Sequence, residues 1–394
     1  MDEIYSVWLS ELKGLSYAAR RVIKERSLSP EQLFPKTAEE LRGVKAFSDK
    51  DISILADKDI SEAERIINDC ARQGIKVLGF GEEDYPRMLA DTADPPLALY
   101  VKGILPDTQD IPAIALVGTR NPSEYGLKMA ERIGSQLAEE GALIVSGLSS
   151  GIESAGARSA LSAGGTVIAV LGTEIAKAPR DYSEKICKKG ALVSEYAPGT
   201  KTQKSFFRAR NRIGSGLSAG VVAIEAPLGS GTLLYVAEAI EQGRDIFAVP
   251  GNADSPKSEG TNELIKNGAK AVTCGNDIME EYRIRYKGRL KALPANTDKT
   301  PDLSPALKHG DKSVDKKEER GYIDLSDYLK SLSVNQLAII SAIESPGTGV
   351  DDIIERSGLP AASVLSDLTI LQIKGFVIQE SGKRFTLNFK KCNN

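Results

Sequence analysis

Histidine is almost absent from this 394-residue chain: the one present, His309, sits in SPALKHGDKSVDKKEERG, a polar stretch that reads as linker. That removes histidine-based acid–base chemistry and histidine metal ligation from the candidate functions. Cysteine is scarce too. Cys70, Cys187, Cys274 and Cys392 lie far apart with no CxxC spacing, so neither a zinc site nor a disulfide framework is indicated, and the four read as unpaired packing residues. No apolar run reaches the length of a membrane span, and the opening MDEIYSVWLSELKG is acidic where a signal peptide is basic and then apolar. A cytoplasmic protein is expected. Also missing are GxGxxG after the first strand of the central region, GxxxxGK[ST] anywhere, and a GxSxG elbow with a usable histidine. NAD, P-loop and serine-hydrolase chemistry are therefore disfavoured, and no cofactor is expected.

What is present divides the chain into territories. Residues 1–72 carry short amphipathic runs such as YAARRVIKE and DKDISEAERIINDCARQ, joined at turn-prone LKGL and LRGV; they predict a small helical domain of helix-hairpin-helix or SAM type. From 73 to 285 short β-branched runs alternate with helical periods. The strand candidates are IALVG, ALIVS, TVIAVL, ALVS, VVAIE, DIFAV and KAVTC. Strict alternation of strand and crossover helix predicts an α/β fold, a doubly wound, mostly parallel Rossmann-like sheet covered on both faces. Residues 286–325 are polar and read as linker. Residues 326–394 read as three helices followed by GFVIQESGKRFTLNF, two strands around a Ser-Gly turn, the order of a winged helix.

The net charge of −3 hides one local excess. Between Gly199 and Ile224 lie Lys201, Lys204, Arg208, Arg210 and Arg212 with no acid among them. A solvated face is the ordinary reading of such a run; its surroundings argue for more. Ligands of an open parallel sheet gather at the carboxyl ends of strands, where helix N-termini offer free N–H groups to anions. Three glycine-rich loops fall at such ends: Gly118, Thr119 and Arg120 after the first strand, Ser146, Gly147 and Gly151 after the second, and Gly229, Ser230, Gly231 and Thr232 before a later helix. One such loop is weak evidence, because glycine also serves turns and packing. Three at one sheet edge, joined by the basic run, make a site. Phe206 and Phe207 interleave with the cations; core packing is the ordinary reading of the pair and falls first on Phe206. Arginine for phosphates and an aromatic ring for base faces is the combination that holds single-stranded nucleic acid without reading its sequence.

These stretches, in this order, resemble the DprA/Smf family of DNA-processing proteins: VGTRNPSEYG, SGLSSGIESAGARSAL, VIAVLGTEI, GALVSEYAPGT, FFRARNRIGSGLSAGVVAIEA, GSGTL, GRDIFAVPGN and EGTNELIKNGA, preceded by the lead-in YPRMLADTADPPLALYVKG. The resemblance is close over about residues 75–282. It implies a recombination mediator, not an enzyme, that binds single-stranded DNA, forms a homodimer and loads RecA recombinase during natural transformation. Residue by residue, it assigns Gly118, Thr119 and Arg120 to a first phosphate-binding loop and Ser146, Gly147 and Gly151 to a second. It further assigns Arg210, Asn211 and Arg212 to an RNR motif, Lys204 and Phe207 to backbone and base contact just before it, and Gly231 and Thr232 to the closing loop. Departures from the family pattern are Glu153 for aspartate, Ala157 for histidine, Ser150 for a basic residue, Arg208 for proline and Ala178 for tyrosine. A nucleotide-binding sensor uses the same loops. A LOG-like nucleotide phosphoribohydrolase is a further alternative, but Tyr235 stands where its PGGxGTxxE loop carries the catalytic glutamate.

The expected recognition helix PAASVLSDLTILQIKG has Val364, Leu365, Leu368 and Leu371 as its core face. From Val350 to Gly375, Asp351, Asp352, Glu355 and Asp367 outnumber Arg356 and Lys374. Duplex binding wants the reverse. This domain is expected to contact protein or regulate dimerisation more than to read DNA, with Lys383 and Arg384 left for a weak contact.

Overall fold

The computed structural model describes residues 3–26, 28–44, 46–286, 332–343, 347–374, 376–380 and 384–387. The chain divides into two compact units, Met1–Lys291 and Ala292–Asn394. The expected linker lies largely outside the described residues, as do His309, Lys383 and Cys392.

The seven strand candidates all form strands: β3 (Ala113–Val117), β4 (Leu143–Ser146), β5 (Thr166–Leu171), β6 (Ala191–Ser194), β7 (Gly220–Ala223), β8 (Asp245–Ala248) and β9 (Lys270–Ala271). They are mutually parallel, and β3, β4, β6 and β7 are buried at every position, which is why the sequence shows continuous apolar runs there and no alternation. Two strands add to the edge beside β6: β1 (Lys76–Gly79) pairs antiparallel with β2 (Ala98–Gly103), and β2 antiparallel with β6. The sheet order is β1-β2-β6-β5-β4-β3-β7-β8-β9. Strand order therefore reverses between β3 and β7, the place where a doubly wound sheet opens a crevice.

The helices before the sheet belong to the same unit. Val7, Trp8, Leu9, Ile23, Leu41 and Ile66 are buried in one core with Val77, Tyr100 and Ile114 of the sheet. The run YAARRVIKE forms a helix over the same residues, Tyr17–Glu25. One carboxylate ties two helix starts together: Asp51 accepts from the backbone N–H and hydroxyl of Ser16 (2.9 and 3.0 Å) and of Ser48 (3.1 and 2.6 Å), both of them N-caps. Residue 72 is thus no seam between compact units. Cys70, Cys187 and Cys274 are unpaired, and burial pushes the Cys70 thiol up to about 11.

The second unit has helices Val334–Ala342, Val350–Ser357 and Ala361–Ile373 and a sheet of β10 (Thr348–Gly349), β11 (Val377–Glu380) and β12 (Arg384–Leu387), ordered β10-β12-β11. Val364, Leu368 and Leu371 pack with Ile339, Ile353 and Phe385. Leu365 is 52% exposed and corrects the expected core face. With 3.6 residues per turn, positions 364, 368 and 371 share a stripe, and 365 is turned about 100° from it.

Candidate nucleic-acid interface

The connection from β6 to β7 must pass from one half of the sheet to the other, and it does so over the carboxyl ends of the strands. β6 and β3 are three positions apart, about 14 Å. Residues 204–210 bridge that span: Phe207 lies against Gly172 at the end of β5, and the Arg210 guanidinium lies against Gly147 at the end of β4, where a Cβ would come within 1.7 Å of it. The basic run is therefore draped over the glycine-rich loops by the winding of the fold.

Beneath it the loops are stitched through their backbones. Thr119 N–H donates to Glu225 O (2.8 Å) and Ile152 N–H to Thr119 O (3.3 Å). Gly151 has φ +84° and touches the Thr119 and Arg120 carbonyls so closely that a Cβ there would meet them at 2.5 and 2.8 Å. Gly118 is equally tight against Ile152. Ser146 is buried; its hydroxyl donates to Glu153 O and accepts from Leu148 N–H, both at 3.1 Å. Leu148 in that loop has φ +54°, a left-handed conformation that strains a side-chain-bearing residue.

Two helix N-termini at this edge already face carboxylates of the chain itself. Helix Glu124–Glu139 follows β3, and the buried Glu225 accepts from Ser123 N–H (2.8 Å) and from the Ser123 hydroxyl at its N-cap. A dinucleotide pyrophosphate would need that position. Helix Ile152–Ser162 follows β4, with Glu153 in its first turn accepting from Ser149 N–H at 3.2 Å.

The same carboxylates decide which cations remain for a ligand. Arg210 is 4% exposed and pairs with Glu153 through Nη2 (3.1 and 3.3 Å). Arg212 pairs with Glu195 and, through Nε, with Asp94 at 3.2 Å. Burial alone would pull the Arg212 guanidinium down, but the charge and hydrogen bonds of Glu195, with Asp94, hold it above its ordinary value. Asn211 is buried between them. Arg120, Lys201 and Lys204 are exposed and make no ion pair among the described residues. Lys204 opens helix Lys204–Ala209, and Phe207, three residues on, shares its face. Phe207 is 39% exposed with the Arg120 guanidinium 5.8 Å from its ring centroid. Phe206 instead stacks on Tyr196 (centroids 3.8 Å apart, planes 12°) and is half-buried.

Of the sequence-predicted residues, the structure brings Gly118, Thr119, Arg120, Ser146, Gly147, Gly151, Lys204, Phe207 and Arg210 to one edge. Asn211 is buried below it and Arg212 is half-buried there. Gly231 and Thr232 begin helix Gly231–Glu241 after β7, Gly231 exposed and Thr232 buried. Sequence reasoning missed Tyr125 and Leu228, 45% and 60% exposed, which follow the ends of β3 and β7; Tyr125 lies inside the VGTRNPSEYG stretch, in the first turn of its helix, and Leu228 just before GSGTL, an apolar residue in a polar loop. Tyr125 donates its hydroxyl to Pro250 O at 2.8 Å. Tyr235 is buried against Gly214, and burial pushes its hydroxyl well up, so it serves packing. Ser150, where a basic residue was expected, is exposed, and Ala157 is buried.

Residues 76–283 match the family model described as DNA recombination-mediator protein A, and residues 329–383 match the DprA winged helix domain. Protein Smf of Synechocystis is 33% identical over 320 residues, covering 77% of this chain and 78% of that protein. DNA processing protein DprA of Streptococcus pneumoniae is 40% identical over 205 residues, covering 51% of this chain and 72% of that protein. The crystal structure of the latter superposes with a TM-score of 0.54 at 33% identity, covering 71% of this chain and 97% of that one.

Proposed function

The chain belongs to the DprA/Smf family of DNA recombination mediators, and from that premise we propose that it binds single-stranded DNA along the carboxyl edge of its sheet. The observation that carries this reading is an unpaired cation, Arg120, standing over an exposed ring, Phe207, with Lys204 on the same helix face. Arg120, Lys204 and Lys201 meet phosphates, and Phe207 offers a face on which any base stacks. The close-packed glycines of the first two loops let the strand approach the backbone, and Gly231 and Thr232 close the far side. Arg210, Asn211 and Arg212 act one layer down: Asn211 is buried, and the two arginines hold the bridging segment in place through Glu153, Glu195 and Asp94.

Loading of RecA onto the bound strand, homodimer formation and service in natural transformation are part of the proposal and are supported by family membership. A nucleotide sensor would use the same loops, but Glu225 and Glu153 already face two of the N-termini that would take its phosphates. The hydrolase alternative lacks support because Tyr235 is packed away.

The test is fluorescence anisotropy with a labelled thymine oligomer, a matching duplex and a mononucleotide across a fourfold range of salt. If about four phosphates are neutralised, log K for the single strand falls with log salt at a slope near −3, roughly fifty-fold over that range. Saturation by the mononucleotide with no preference for the oligomer would sink the reading.

A further inference from the structure

A basic groove opens at the other end of the sheet. It measures about 500 Å³ and lies between the last turn of helix Ile152–Ser162, the length of helix Arg180–Cys187 and the turns that lead into β5 and β6. β5 alone is six residues long, so about 20 Å of sheet separates this groove from the Arg120 edge. Its lining is strongly one-signed: Arg158, Lys185, Lys188 and Lys189 against Asp181.

Lysine near a helix C-terminus ordinarily answers the carbonyl end of the dipole, and two such ends open here. Magnitudes argue that this does not account for the cluster. Four cations and one carboxylate leave three positive charges, and two helix ends of about half a negative charge each remove only one. Arg158, Lys185 and Lys188 make no ion pair among the described residues. Elsewhere in this unit basic side chains are commonly paired with a carboxylate three or four residues away, as Arg65 is with Glu62 and Asp69 and Lys128 with Glu124. Lys189 differs from the other three: it donates to Gly164 O at 3.1 Å and anchors the floor. Tyr182 is half-buried in the wall.

We propose that this amino-edge groove is a second nucleic-acid contact, holding the phosphate backbone of a strand whose other segment occupies the carboxyl edge. The excess of positive charge suits a polyanion, and three of the four cations are lysines, point charges on flexible stems that bind a phosphate backbone without fixed geometry. The groove contacts charge and not bases, so it adds affinity and length dependence without sequence preference. The identity of the polymer rests on the reading of the carboxyl edge; the groove's charge does not.

The test uses the full chain carrying Arg158→Gln, Lys185→Gln and Lys188→Gln together, beside wild type and Arg120→Ala, with labelled thymine oligomers of about 6 and about 40 nucleotides, lengths that bracket common single-strand site sizes. Matching thermal midpoints establish that the triple variant is folded, as expected for three side chains with no ion pair. It should bind the short oligomer like wild type, while on the long one its salt slope flattens by about 2, an eighteen-fold smaller loss over a fourfold rise in salt. Arg120→Ala should weaken both oligomers. If Arg120→Ala weakens both and the triple variant matches wild type on the long strand, the groove proposal falls and the carboxyl-edge reading stands. If only the triple variant loses the long strand, the reverse holds. Loss of polyglutamate binding in the triple variant, with DNA binding intact, would also overturn the proposal by assigning the groove to an acidic protein partner.

Discussion

The Arg120 guanidinium stands 5.8 Å from the centroid of the Phe207 ring, across a gap bridged only because the chain after β6 returns over the ends of β5 and β4. The two residues are expected to fail differently. Arg120→Ala should flatten the salt dependence of single-strand binding by about 0.7 in slope, the loss of one phosphate contact. Phe207→Ala should cost about 1 to 3 kcal/mol with little change in slope, and Phe207→Trp should recover most of it. Anisotropy titrations of the three variants at several salt concentrations decide the matter; equal slope changes in Arg120→Ala and Phe207→Ala would remove the division of roles.

Gly172 sets the position of that ring. A Cβ there would meet Phe207 Cδ1 at 2.9 Å and its Cα at 3.0 Å. Gly172→Ala should therefore push the helix Lys204–Ala209 off the strand end and weaken DNA binding by a factor comparable to Phe207→Ala. Because the helix lies at the surface, the unfolding midpoint in urea should move little.

The buried pair Arg210–Glu153 should behave as structure. Arg210→Ala strands a carboxylate that is 6% exposed, and the loss should be about 3 to 5 kcal/mol of unfolding free energy. Arg212→Ala releases Glu195 and Asp94, whose side chains are about a quarter exposed, and should cost less, about 1 to 3 kcal/mol. Urea unfolding followed by circular dichroism gives both values. An Arg210→Ala protein of unchanged stability that no longer binds DNA would show Arg210 to be a direct contact.

Asp51 supplies an acid-dependent share of stability. Burial would raise its carboxyl, but hydrogen bonds from Ser48 and Ser16 outweigh that and hold it below the usual aspartate value. Its folded-state value thus lies below its unfolded one, so the stabilisation is complete above the ordinary carboxylate range and is lost as pH falls through the depressed value. Asp51→Ala, which removes the carboxylate that both N-cap serines donate to, should be less stable at neutral pH by about 1.5 to 3 kcal/mol. The gap to wild type should close as pH is lowered below about 4. A gap independent of pH would mean that shape and not charge makes the contribution.

The local signals were strong where local physics rules. β3, β4, β6 and β7 are buried on both faces, so their apolar runs could be read directly, and YAARRVIKE declares its helix by period and by Ser16 before it. β1 and β2 were not read as strands: KVLG is assigned by its pairing with β2, and ALYVKG by its pairing with β6, far away in sequence. The missing seam at residue 72 has a similar cause, since the helical region buries its apolar faces on the sheet and not on itself alone.

The sequence by itself determined the order of strands and loops, hence that a basic segment would cross a glycine-rich sheet edge. Only the tertiary structure decided which of those cations a polyanion can reach. Arg210 finds Glu153 across 57 residues, and Arg212 finds Asp94 across 118. Charge pairing depends on distance in space, so a run with no acid among its neighbours in sequence can be neutralised by acids that folding brings beneath it. The cations left over, Arg120, Lys201 and Lys204, are those that folding did not bring to a carboxylate.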